Sequence, residues 1–256
     1  MQVMGIDVGG SGIKGAPIDV TEGRLLEERL RVETPRASTP EKIAKVIDDI
    51  CSSFSWSGPI SMGFPGIVTG GTIYSAANVD DLWVGVNASE LVSIVTGNPV
   101  AVINDADAAG MAEMRYGAGR GRNGVVFVIT VGTGLGTAMF TDGYLVPNVE
   151  LGHLQIRGKD AECRASDATR KRRDLSWQDW AKRFTEFLNT LESLFSPSLF
   201  IIGGGASRKT HKFFPYLDIK TEIIPAELRN DAGMIGAALA ATEGPFALPE
   251  LTSSAG

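Results

Sequence analysis

Three glycine clusters stand where main chain is able to meet a ligand: Gly9-Gly10-Ser11-Gly12, Gly132-Thr133-Gly134-Leu135-Gly136 and Gly203-Gly204-Gly205. Each comes after an apolar, β-like run, and glycine there lets the backbone approach a bound group closely. Neither of the first two has the spacing of a dinucleotide fingerprint (GxGxxG opening a helix) or of a Walker A loop (GxxxxGK[ST]). Both turns lead into residues that read as extended chain: Ile13-Lys14-Gly15-Ala16 after the first, Thr137-Ala138-Met139-Phe140 after the second. The expected geometry is therefore a pair of β-hairpins whose tips turn N–H groups toward phosphate oxygens, an anion nest without a helix dipole. A single turn of this kind is an ordinary hairpin. Two matched turns about half a chain apart, the first led by Asp7, suggest more.

Side chains able to do acid–base work are few. Asn104-Asp105 stands between a strand-like run and a helical one. One reading is plain helix capping, for which both residue types are preferred. The other places Asp105 at the carboxyl end of a strand, accepting a proton from a hydroxyl that attacks phosphorus, with Asn104 hydrogen-bonding the same substrate. Glu150-Leu151-Gly152-His153 puts a carboxylate and an imidazole three residues apart, a polar wall suited to sugar hydroxyls. As a zinc site it lacks further cysteine or histidine ligands nearby. Between Arg157 and Arg183 nine basic residues face five acidic ones, a local +4 that includes Arg170-Lys171-Arg172-Arg173. That run is either a solvated loop or a cation row for a polyanion.

These residues need elements to hold them. Strand patterns cover residues 3–7, 13–20, 25–33, 59–64, 99–103, 125–131, 137–141 and 199–202, and helical ones 40–54, 105–116, 176–195 and 231–241. The clearest helix is 176–195, with apolar residues recurring at three- and one-residue spacings and Ser176 with Asp179 resembling a capping box. In that phase Trp177 and Trp180 read as core. The residues past 244 read as a loose tail, and 148–174 fits no cycle. The strand–glycine turn–strand pattern occurs twice, so the expectation is a duplicated αβ lobe with a ligand cleft between the copies.

Composition narrows the class. The chain has 256 residues, 43% hydrophobic and 21% charged, with 24 basic and 30 acidic side chains for a net charge of −6. An acidic balance argues against a general nucleic-acid binder. Cys51 and Cys163 form no disulfide or metal spacing, which suggests a reducing, cytoplasmic setting. The start shows no secretory pattern, and the longest apolar stretch, 125–131, is far below the roughly 20 residues of a membrane span.

Together Asp7-Val8-Gly9-Gly10-Ser11-Gly12-Ile13-Lys14, Gly63-Phe64-Pro65-Gly66, Asn104-Asp105-Ala106-Asp107-Ala108, Gly132-Thr133-Gly134-Leu135-Gly136 and Glu150-Leu151-Gly152-His153 resemble the ROK group of sugar kinases in the actin/hexokinase/Hsp70 superfamily. The likeness is collinear to about residue 241. Segments at Leu175-Ser176-Trp177 and Ser196-Pro197 bring the chain nearest to the polyphosphate-using bacterial members.

The resemblance implies a two-lobed, ribonuclease H-like or actin-like α/β fold with mixed sheets, one lobe of residues 1–113 plus about 237–256 and the other of 114–236. It implies phosphorylation of glucose at O6 by polyphosphate, ATP or both, with Asp105 as catalytic base and Asp7 helping to hold Mg²⁺, usually through water. Asn78, Asn104, Asp105, Glu150, His153 and Glu162 match sugar contacts. Gly9, Gly10, Ser11, Gly12 and Lys14, with Gly132, Thr133, Gly134 and Gly136, match the phosphate hairpins, and Gly203, Gly204 and Gly205 the nucleoside-side loop. Arg170, Lys171, Arg172, Arg173, Arg208 and Lys209 are the candidate polyphosphate track. The CxCGxxGC zinc loop of many relatives has no counterpart, so structural zinc is not expected. Six residues before Asp7 leave no room for the helix-turn-helix of repressor relatives. A homodimer is expected, with no nucleic-acid or membrane partner. Competing readings are an ATP-dependent kinase for another hexose such as mannose, and a sugar sensor without catalysis.

Overall fold

The computed structural model describes residues 1–252. They divide into two compact units, one of Met1–Ala112 joined by the chain from Asp231 onward, the other of Glu113–Asn230.

In the first unit β1 (Gln2–Gly9) turns back through Gly10 and Ser11 into β2 (Gly12–Asp19), antiparallel with Gly9 opposite Gly12. The single extended run expected at 25–33 is instead two short strands, β3 (Arg24–Leu25) and β4 (Leu30–Val32), each pairing with β2. The intervening Leu26–Glu28 segment carries bends, so the chain re-enters the same partner strand at a second place. Helix α1 (Pro40–Ser53) begins with proline at its first position, where the missing N–H costs nothing, and buries Ile43, Ala44, Ile47, Ile50 and Cys51 along one face. Strand β5 (Ile60–Phe64) comes next, then the small ribbon β6 (Val68–Thr69) with β7 (Thr72–Ile73), and helix α2 (Ala88–Thr96), capped by Asn87. Strand β8 (Val100–Asn104) leads without a break into α3 (Asp105–Tyr116). The sheet runs β3-β2-β1-β5-β8, and β1, β5 and β8 are parallel. β5 and β8 are buried along their whole length, as strands covered on both faces must be.

The second unit repeats this plan. β9 (Val125–Val131) and β10 (Leu135–Thr141) form the antiparallel hairpin, extended by β11 (Tyr144–Val146). The stretch 148–174, unassigned from sequence, holds the two-residue strands β12 (Gln155–Ile156) and β13 (Lys159–Asp160) and the short helices α4 (Glu162–Ala165) and α5 (Asp167–Arg172). Helix α6 (Trp177–Phe195) is capped by Ser176, whose hydroxyl accepts the Asp179 N–H at 3.0 Å. It buries Trp180, Ala181, Phe184, Phe187, Leu188 and Leu191 against the sheet. Each large side chain of that face contributes about 1.5–3 kcal/mol of burial. β14 (Leu199–Gly203) and β15 (Glu222–Pro225) complete a sheet ordered β11-β10-β9-β14-β15, with the last three parallel. Apart from β4, which has no counterpart, this is the order and sense of the first sheet.

Helix α7 (Ala232–Ala240) then packs on β1, β5 and β2. Its small residues let it sit close, so the whole helix goes with the first unit, and the second crossing falls before it, at Asn230, not near residue 237. The expected loose tail is partly ordered, with a 3-10 turn at Gly244–Phe246 and α8 (Pro249–Thr252); residues 253–256 lie outside those described. Among the described residues, no helix is long and apolar enough to cross a membrane.

Candidate active site

In the first unit the site residues gather at the carboxyl ends of the parallel strands. Register aligns Asp7 of β1 with Gly63 of β5, and Gly63 with Ile103 of β8. Asp7 therefore lies on the row next to Asn104-Asp105, two strand spacings (about 10 Å) across the sheet. Asn104 is buried and acts as the helix cap: its Oδ1 accepts the N–H groups of Ala106 (2.9 Å) and Asp107 (3.0 Å), and its Nδ2 donates to the Gly66 carbonyl (3.0 Å). The capping reading is thus realised by Asn104. This leaves Asp105, half-buried on the first turn of α3, with its carboxylate at the positive end of the helix dipole.

Asp7 and Lys14 are cross-strand partners on the first hairpin, and Lys14 Nζ donates to Asp7 Oδ2 at 2.7 Å. The tip, Gly10 and Ser11, is exposed. Asn78, with φ of +63°, lies over it: a methyl group at position 10 would stand 2.7 Å from the Asn78 Cβ. Arg31, absent from the sequence-derived candidates, donates to the Ser11 carbonyl at 2.8 Å and sets a guanidinium against Gly12. Its register position opposite Lys14 exists only once β4 pairs with β2, so no local pattern marks it.

Asp7 offers a hard divalent cation one carboxylate, whose Oδ2 already accepts from Lys14. Among the described residues no three His, Cys, Asp or Glu side chains form a metal cage. Mg²⁺ needs none, since it typically takes one or two carboxylates, retains waters and completes its shell with phosphate oxygens.

In the second unit the hairpin between β9 and β10 closes through a Gly132 N–H bond to the Gly134 carbonyl (3.1 Å), and the Ala168 N–H of α5 binds the Gly132 carbonyl (3.1 Å). Thr133 is exposed at the tip. The Glu162 carboxylate lies against Gly134, only 2.6 Å from where a side-chain carbon would begin. Thr137 of β10 accepts the Leu151 N–H at 3.0 Å and donates to the Val149 carbonyl, which ties the Glu150–His153 segment beside the hairpin. His153 Nδ1 meets Asp160 Oδ2 at 2.9 Å. That hydrogen bond raises the His153 pKa against the opposing effect of burial, and the nearby Glu162 and Glu150 carboxylates add to the rise. Asp160 is held below the usual carboxylate range, chiefly by the same hydrogen bond. Asp160, itself positioned by Gln155, is a second residue without a sequence signal.

The turn α4 that carries Glu162 is anchored by Arg164, which with Arg157 grips Glu186 of α6. Burial works to raise the Glu186 carboxyl, but the two guanidinium hydrogen bonds hold it below its ordinary value.

The basic run is not a uniform solvated face. Arg170 pairs with Asp167 at 2.9 Å and lies 4.1 Å over the Trp177 ring, Lys171 pairs with Asp167 at 2.8 Å, and Arg172 donates to Thr169. Lys171, Arg172 and Arg173 are exposed. Lys209, from a distant segment, stands 5.7 Å over the same indole. Trp177 packs on Trp180 and Phe213 as the helical phase required, and also gathers cations from both basic segments.

The third glycine cluster opens a 3-10 segment, Gly204–Lys212, in place of a bare turn. Gly204 has φ of +67° and presses on Val131, the last residue of β9, so this cluster adjoins the second hairpin. Beside it is a cavity of about 590 Å³ lined by Ser207, Arg208, Thr210, Glu227 and Arg229 among others.

Residues 3–169 match the model of the ROK family. The chain is 46% identical to a polyphosphate glucokinase of Mycobacterium tuberculosis (strain CDC 1551 / Oshkosh), over 92% of this chain and 89% of that one. With the polyphosphate glucokinase of Mycobacterium leprae it shares 44% over 93% and 74% of the two chains. Among solved structures it superposes on an inorganic polyphosphate/ATP-glucomannokinase from Arthrobacter sp. strain KM with a TM-score of 0.90 at 48% identity, covering 93% of this chain and 97% of that one. A ROK family glucokinase from Streptomyces griseus, in complex with glucose and AMPPNP, gives 0.79 at 26%, covering 93% and 98%.

Proposed function

The chain belongs to the ROK family and has the actin-like α/β fold of its sugar kinases, and from that premise we propose that it is a glucokinase, transferring a phosphoryl group to O6 of glucose from inorganic polyphosphate and also from ATP. The observation that carries this reading is near-half identity to polyphosphate glucokinases along almost the whole chain. The geometry around Asp105 and the two hairpins agrees with it.

Phosphoryl transfer passes through a loose transition state, so the protein's task is alignment and charge balance. Asp105 accepts the proton of the attacking hydroxyl; its support is a half-buried carboxylate on a helix that Asn104 caps independently. The exposed hairpin tips, with Lys14 and Arg31 at the first, offer N–H groups and cations to the phosphate oxygens. Mg²⁺, held through Asp7 and donor oxygens, would neutralise charge on the transferred group. Sugar hydroxyls are assigned to Asn78, Asn104, Glu150, His153 and Glu162. With Nδ1 turned to Asp160, the Nε2 of neutral His153 accepts from a hydroxyl, and that of the imidazolium donates.

The distal part of the donor is assigned to the cavity beside Gly203–Gly205, where Arg208 and Arg229 supply positive charge. A long polyphosphate is assigned to Lys209 and Arg170, which share the Trp177 ring, and to the neighbouring Lys171, Arg172 and Arg173. Likeness to the Arthrobacter glucomannokinase favours mannose as a second acceptor. A cytoplasmic setting agrees with two unpaired thiols, Cys51 and Cys163; the homodimer rests on family resemblance. The test is to incubate purified protein with glucose and either polyphosphate or ATP at equal phosphate concentration. Glucose 6-phosphate should appear with both donors; glucose binding without consumption of either would point to a sensor.

A further inference from the structure

We propose that Glu113 is a positioning residue for the phosphoryl donor, holding two walls of the cavity beside the glycine triplet together. The inference rests on the kinase reading above. Glu113 is 1% exposed and sits on the last turn of α3. Its Oε2 accepts the N–H of Ala118 at 3.0 Å and that of Glu227 at 3.1 Å, while Oε1 accepts the N–H of Leu228 at 2.7 Å. Ala118 and Glu227 both line the cavity. One buried carboxylate thus joins segments more than a hundred residues apart in the chain, and does so through main-chain groups.

The arrangement has a physical logic. A buried carboxylate is costly unless its oxygens are hydrogen-bonded, and three N–H dipoles meet that need without bringing a cation. The arginines of the cavity therefore stay available to an anion. The pinned loop also carries Arg229, whose φ of +53° is a conformation that a non-glycine residue keeps only when its surroundings hold it. Fixing Glu227 and Leu228 fixes the backbone from which that guanidinium projects. Gly117 completes the fit: a side-chain carbon there would stand 2.2 Å from Glu113 Oε2.

Two variants and one measurement on the unmodified protein test this. Glu113→Gln keeps the size but turns an NH₂ toward N–H donors, and Gly117→Ala displaces the carboxylate without changing it. Both should raise KM for polyphosphate and for ATP about tenfold, the scale of losing one hydrogen bond to a charged group, and leave KM for glucose within about twofold. Amide exchange in the wild type should show Ala118, Glu227 and Leu228 protected as a set, and Glu113→Gln should release them together. A folded variant with unchanged donor KM, or with glucose and donor KM rising alike, overturns the proposal. If Glu113→Gln does not fold, an unprotected Leu228 amide in the wild type or an unchanged donor KM in Gly117→Ala overturns it equally. A wild type that consumes neither donor overturns the kinase reading and the inference with it; an active wild type with an indifferent Glu113→Gln overturns the inference alone.

Discussion

On the proposed reading, Asn104 and Asp105 divide two tasks between neighbours. The Asn104 amide satisfies the N–H groups of Ala106 and Asp107 in the first turn of α3, and this cap stays in place when residue 105 is changed. Asp105→Ala should therefore keep the thermal midpoint close to wild type while kcat falls by about a hundredfold or more; steady-state kinetics beside a melting curve decide it. His153 makes a pH prediction. Its pKa is raised mainly by Asp160, so the pair's contribution to stability is fully present below the ordinary histidine value of about 6.5 and is lost as pH rises through the raised one. The chain has only two histidines, so a proton NMR titration separates them readily. Asp160→Asn should bring the His153 midpoint down and raise KM for glucose more than KM for the donor. An unmoved midpoint would mean that the hydrogen bond does not form in solution.

At the scale of elements, the hairpins were legible because a glycine turn between two apolar runs has few alternatives. Helix α6 was legible because its apolar face recurs with helical spacing over five turns. The short elements between Asn148 and Asp174 were not. Two-residue strands and four- to six-residue helices have too few positions to show a period, and Glu186, which anchors α4 through Arg164, lies on another helix. The break between β3 and β4 was hidden for a similar reason, since both pair with the same strand and share its pattern. Gly204 offers a test at this level: with its positive φ and its close approach to Val131, Gly204→Ala should destabilise the protein by about 1–3 kcal/mol, read as a lowered denaturant midpoint at unchanged slope. A neutral result would show that the 3-10 segment shifts freely.

At the scale of the whole molecule, a net charge of −6 coexists with two basic segments of the second unit that meet over Trp177, the proposed cation row. If long polyphosphate runs along that row, raising salt should increase its KM more steeply than that of glucose, because binding a polyanion releases condensed counterions. Replacing Lys171, Arg172 and Arg173 together by alanine should flatten that dependence and leave glucose KM unchanged; equal salt responses in wild type and variant would remove the track. Sequence alone determined the two glycine hairpins, the Asp105 position at a strand-to-helix junction and the duplicated pattern, since each is written in contiguous residues whose local geometry comes from their type. Only the tertiary structure decided that Asn104 itself caps α3, that Arg31 braces the first hairpin, that Asp160 orients His153, and that Arg170 and Lys209 share one ring. Except for the cap, whose partners are two and three residues on, those relations join residues from 7 to more than 30 positions apart, and no backbone period links such partners until the sheets and helices have packed.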